Sequence, residues 1–179
     1  MKLTPLSKAF GAEITGVDLS SLGDSLFEDI YAALLDFGVL RFRAQALTKE
    51  GLQNFSQRFG PLEEIPLGQL SEGQRAKIEN RYVTKISNIL VDGKPIGGLG
   101  DSEASWHSDM TYLEDPPPIS ILLGVKIPPV GGDTFFADQR EALAMLPYSL
   151  RTRVTDLPKR VEKPTRLRRI DICVPHHKP

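Results

Sequence analysis

"PPPISILLGVKIPPVGGDTFFAD", residues 116–138, decides the architecture. Its opening prolines force an extended connection, because proline fixes its own φ and pushes the preceding residue out of the helical region. "ISILLGVKI" (119–127) is nearly all apolar and reads as a buried strand. "PPVGGD" (128–133) is a turn by composition, and "TFFA" (134–137) reads as a strand re-emerging from it. No crossover helix separates the two, whereas parallel strands need a connection of a dozen or more residues. A largely antiparallel sheet, or a barrel of short strands, suits this pattern better than a doubly wound parallel sheet.

Helices flank that core on both sides. Downstream, Asp138 with Glu141 three residues on marks the capped start of "QREALAML", and Pro147 fits the first turn of a further helix through Leu150 and Val154. Upstream, Phe27, Ile30, Ala33, Leu34 and Phe37 form one helical stripe, which Gly38 ends. "VLRFR" (39–43) alternates as a strand. In "LTKEGLQNFSQRFGPL" (47–62), Thr48 caps a helix whose stripe is Leu52, Phe55 and Phe59, stopped by Gly60-Pro61. Residues 1–24 read as short strands and turns, 61–81 as a loop, "YVTKISNIL" (82–90) as a strand and Asp92-Gly93 as a turn. The fold class is therefore α+β.

Bulk properties exclude several functions. A chain of 179 residues is one domain, or most of one, with enough apolar content for a core. A net charge of −1 gives no footprint for nucleic acid or a membrane surface. From Arg151 onward, nine Lys/Arg face three Asp/Glu, which reads as a solvated or disordered basic end. Cys173 is the only cysteine, which fits a reducing compartment. No apolar run reaches membrane-span length and the N-terminus lacks a signal-peptide core, so the expected location is the cytoplasm.

The chemistry centres on "SWHSDMTY" (105–112), where His107 stands two residues before Asp109 in a chain with three histidines. On a strand, that spacing puts both side chains on one face, with Trp106 and Met110 turned the other way into packing. Such a pair is either a salt link or two ligands of a metal. Two histidines and one carboxylate on one face suffice for Fe(II) oxygen chemistry. Thr134, in "GGDT", would start a strand beside the pair. The glycines of "IGGLGDSEAS" (96–105) match no dinucleotide or phosphate loop.

Together, "SNI", "DGKPIG", "SWHSDMTY" and "PPPISILLGVKIPPVGGDTFFAD" resemble the taurine dioxygenase-like (TauD/TfdA) family of Fe(II)- and 2-oxoglutarate-dependent dioxygenases. "GAEITGVDLS", "ALLDFGVLRFRAQALT" and "FSQRFGPL" add to the likeness, which runs over about residues 8–154. The resemblance implies a double-stranded β-helix, or jelly roll. It also implies iron ligation by His107 and Asp109, 2-oxoglutarate contact by Thr134 and a pocket-lining role for Asn88. The implied reaction hydroxylates a small organic substrate with O2, releasing succinate and CO2. Part of the substrate pocket falls to residues 61–82, with Arg81 and Tyr82 as candidate contacts. A cupin-like isomerase without oxygen chemistry is disfavoured by "GGDT" and the upstream helices.

The family pattern also calls for a distal iron-binding histidine and an arginine for the far carboxylate of 2-oxoglutarate, yet only 70 residues follow Asp109. Residues 1–154 thus read as the N-terminal part of such a domain and 155–179 as a basic, proline-containing tail unlike the family. His176, His177 and the arginines from Arg166 to Arg169 are poor substitutes. The alternative expectation is a truncated, catalytically inactive remnant, and exposed strand edges around Ile119–Ile127 predict association into homo-oligomers.

Overall fold

A computed structural model of the protein describes residues 1–8, 10–64, 80–99, 106–110, 115–155 and 170–175, together with 72 and 113. Strand β1 (Lys2–Pro5) and strand β2 (Ala12–Thr15) form an antiparallel hairpin. Helix α1 (Asp24–Phe37) then carries the chain back to strand β3 (Val39–Phe42), which pairs parallel to β2 with Ile14 opposite Phe42. Helix α2 (Lys49–Gln57) follows, and strands β4 (Ile86–Ser87), β5 (Leu90–Val91), β6 (Lys94–Pro95) and β7 (Gly98–Leu99) form two small ribbons. Strand β8 (Ile119–Gly124), helix α3 (Gln139–Met145), helix α4 (Tyr148–Thr155) and strand β9 (Ile170–Pro175) complete the described elements.

The main sheet runs β1-β2-β3-β9-β8, and three of its four pairings are parallel. That overturns the expected largely antiparallel sheet. The physical reason is connectivity: α1 is a crossover that returns the chain to the same end of the sheet, and the long path between β8 and β9 does likewise. The solvated tail is also corrected in part, since residues 170–175 pair with both β3 and β8.

Several local expectations hold. Gly38 ends α1 in the left-handed region (φ 73°), its N–H donating to the Leu34 carbonyl at 2.9 Å. Thr48 Oγ1 accepts from the Gly51 N–H at 3.0 Å, capping α2. Asp138 caps α3 by accepting from the Arg140 N–H at 2.8 Å. Pro147 starts α4, its carbonyl accepting from Leu150 and Arg151. Asp92 (φ 51°) and Gly93 (φ 71°) make the tight turn between β5 and β6.

Three strand expectations fail, each for a local reason. Residues 82–90 are not one strand, because Ser87 Oγ takes the Ile89 N–H at 3.0 Å and interrupts the ladder. Residues 134–137 are irregular: Gly131 and Gly132 both have positive φ, and the chain passes from that turn straight to the Asp138 cap. "ISILLGVKI" is a strand only over 119–124 and is half-buried, because β8 lies at the sheet edge and Leu122 faces outward.

The core lies on one face of this sheet. Ala12, Ile14, Leu40 and Phe42 meet Phe27, Ile30, Ala33 and Leu34 of α1 and Phe55 of α2, with Ile119, Ile121 and Leu123 of β8 packed at its margin. Strand alternation then sends Ser120 and Leu122 to the opposite face. Among the described residues Gln45 is the buried polar one: it accepts from the Leu19 N–H at 2.9 Å and donates to the Val17 and Arg43 carbonyls at 3.0 and 2.9 Å. On the outer face, Glu13 sits across from Arg41 and binds Arg41 and Arg43 at 2.8 Å each, which holds its carboxyl below the usual carboxylate range, chiefly through the Arg43 hydrogen bond.

Candidate metal centre

His107 and Asp109 do meet, but not on a strand. Residues 106–110 form an irregular segment and turn, with Met110 in the left-handed region at φ 51°. Within this segment His107 Nε2 lies 3.0 Å from Asp109 Oδ1. Both side chains are open to solvent, at 61% and 44% of full exposure. Trp106 is corrected too: it is 73% exposed, not packed.

The second carboxylate oxygen has its own partner. Ser120 Oγ donates to Asp109 Oδ2 at 3.1 Å, from the outward face of β8. Sequence reading missed this serine, although its signal was visible as the single hydroxyl inside the apolar run "ISILLG".

The donor set fits a divalent metal. Two ligand atoms about 2.1 Å from one ion and at right angles to each other lie about 3.0 Å apart. The Nε2–Oδ1 separation of 3.0 Å is that distance, so an ion could take the place of the shared proton with little movement. Among the described residues, no further His, Cys, Asp or Glu joins the pair to make a group of three.

Thr134 and Asn88 are exposed, and among the described residues neither hydrogen-bonds to the pair. His176, His177 and Arg166 to Arg169 lie outside the described residues. Arg81 pairs with Glu64 at 3.7 Å.

A cleft of ≈ 230 Å³ adjoins the pair through Met110 and Ser120. Its walls are the segment after α2, including Phe59, Leu62 and Glu63, then Tyr82, and the start of β8. Ligand pockets usually span roughly 300–1,000 Å³, so this one suits a small molecule. Among the described residues, no helix is long and apolar enough to cross a membrane.

Residues 2–173 match the family described as "Taurine catabolism dioxygenase TauD, TfdA family". The chain is 34% identical over 158 residues to the (S)-phenoxypropionate/alpha-ketoglutarate-dioxygenase of Sphingobium herbicidovorans, covering 88% of this chain and 52% of that protein. It is 34% identical over 149 residues to the alpha-ketoglutarate-dependent sulfate ester dioxygenase of Pseudomonas putida, covering 82% and 44%. A crystal structure of a taurine dioxygenase from Burkholderia xenovorans superposes with a TM-score of 0.60 at 32% identity, covering 87% of this chain and 51% of that one. The chain thus spans about half the length of the relatives it matches.

Proposed function

This chain belongs to the TauD, TfdA family of 2-oxoglutarate-dependent dioxygenases, and we propose that His107 and Asp109 supply two of the protein ligands of an Fe(II) centre in a double-stranded β-helix. The 3.0 Å approach of Nε2 to Oδ1 carries the reading, because it sets two donors of the right kind at the spacing of neighbouring ligands. When bound, the iron with 2-oxoglutarate would supply the activation of O2 that ends in hydroxylated substrate, succinate and CO2.

The chain's own residues do the rest. His107 must be neutral to ligate, so its ring gives up the proton it can share with Asp109. Asp109 brings the negative charge that favours a cation at this spot. On the family resemblance, Thr134 is assigned to a carboxylate of 2-oxoglutarate and Asn88 to the active-site pocket; neither lines the cleft described above. The cleft takes the substrate: Phe59, Leu62, Met110 and Ile119 offer it apolar surface, and the Tyr82 hydroxyl a hydrogen bond. A small organic molecule with an apolar body fits those walls.

Anaerobic reconstitution with Fe(II), then assays of succinate formation and O2 uptake, tests the reading. Turnover that disappears in His107→Ala supports it. Iron binding without succinate would favour the alternative, a chain that holds metal but is catalytically inactive. No iron binding at all would overturn the assignment.

A further inference from the structure

We propose that Ser120 is a positioning residue that forces Asp109 to bind metal through one oxygen only. This rests on the metal-centre reading above. A free carboxylate beside a divalent ion can bind through either oxygen or through both. Here the two oxygens are already divided: Oδ1 lies 3.0 Å from His107 Nε2, and Oδ2 accepts from Ser120 Oγ at 3.1 Å.

The division is fixed by the fold. Ser120 lies on β8, whose neighbours Ile119 and Ile121 are packed at the margin of the core, so its hydroxyl stands on a rigid element. Asp109 lies in an irregular turn. The serine therefore ties a ligand in a turn to a strand of the main sheet. With Oδ2 engaged, the carboxylate occupies one coordination position instead of two. That leaves an additional position for a bidentate co-substrate or O2, which an open-faced iron site requires. Partners of this outer kind typically change metal affinity by about 10–100-fold when removed.

Co(II) is the probe, because its visible absorption reports coordination number, and Trp106, the single tryptophan, stands next to His107 as a fluorescence reporter. Wild type, Ser120→Ala, Ser120→Thr and His107→Ala are titrated in parallel. The expected result is His107-dependent Co(II) binding that weakens about 10-fold or more in Ser120→Ala. Its visible bands should also lose intensity as coordination number rises, and Ser120→Thr should restore both. Wild-type affinity and spectrum in Ser120→Ala would overturn the role of Ser120 while leaving the metal centre intact. Equal losses in Ser120→Ala and Ser120→Thr would overturn it as well. Binding that ignores His107→Ala, or no binding by wild type, would overturn the metal centre and this inference together.

Discussion

Every buried side chain among the described residues belongs to the stretch from 11 to 55, while residues 80–155, which carry Asn88, His107, Asp109 and Thr134, have none. The first stretch is a sheet closed by two helices around Ile14, Ile30, Leu34, Leu40 and Phe42, all with almost no solvent contact. The second is held by short ribbons, turns, helix caps and the edge strand β8, whose Ile119, Ile121 and Leu123 pack only at the margin of the core. α3 and α4 bury no residue, and Phe135, Met145 and Tyr148 are each about three-quarters exposed. Stability and candidate chemistry are thus carried by different parts of the sequence. A substitution should reveal by its cost which part it strikes.

The largest effect expected is in the core. Leu34→Ala or Phe42→Ala should destabilise by about 2–5 kcal/mol in a urea titration, through lost burial and the cavity left behind. Met145→Ala, on the exposed face of α3, should stay within about 0.5 kcal/mol. Similar costs for the two kinds of change would break the comparison. Next comes Gln45→Ala, which strands the Leu19 N–H and the Val17 carbonyl inside the core and should cost about 1–3 kcal/mol. Replacement by Glu would not rescue it, since Glu cannot donate to Val17.

A smaller effect sits at the α3 cap. The Arg140 guanidinium holds the Asp138 carboxyl down to about 2 from its usual 3.8. A depressed folded-state pKa means stability present above about pH 4 and lost as the pH falls towards 2. Asp138→Ala should cost about 1 kcal/mol at neutral pH and remove that stretch of acid dependence, read by thermal melts across the window. An unchanged acid slope in the variant would show that the cap contributes nothing there.

What could be read from the sequence divides by the range of the interaction, not by burial. Caps and turns were legible at Gly38, Thr48, Asp138 and Asp92-Gly93, because each is decided by residues within a few positions. The stripe on α1 predicted its buried face for the same reason. Sheet partners were not legible. Nothing local in "IDICVP" shows that it pairs between β3 and β8, or that three pairings run parallel. At the candidate site, the meeting of His107 with Asp109 was legible in their spacing, but its backbone was not. The two side chains meet at 3.0 Å from an irregular segment, not from a strand. The glycines before the pair had a use that composition did not reveal at Gly97. A Cβ there would come within 2.8 Å of Ser87 backbone, so β4 and β7 approach only because the side chain is missing.

The most direct test of the metal centre is an anaerobic Fe(II) titration of wild type and His107→Ala, followed by Trp106 fluorescence, with a urea titration of each protein alongside. Saturable binding in wild type and none in His107→Ala, at equal stability, is the predicted result. Binding of equal affinity in both proteins would contradict the account, because the 3.0 Å His107–Asp109 approach would then be an ordinary surface ion pair.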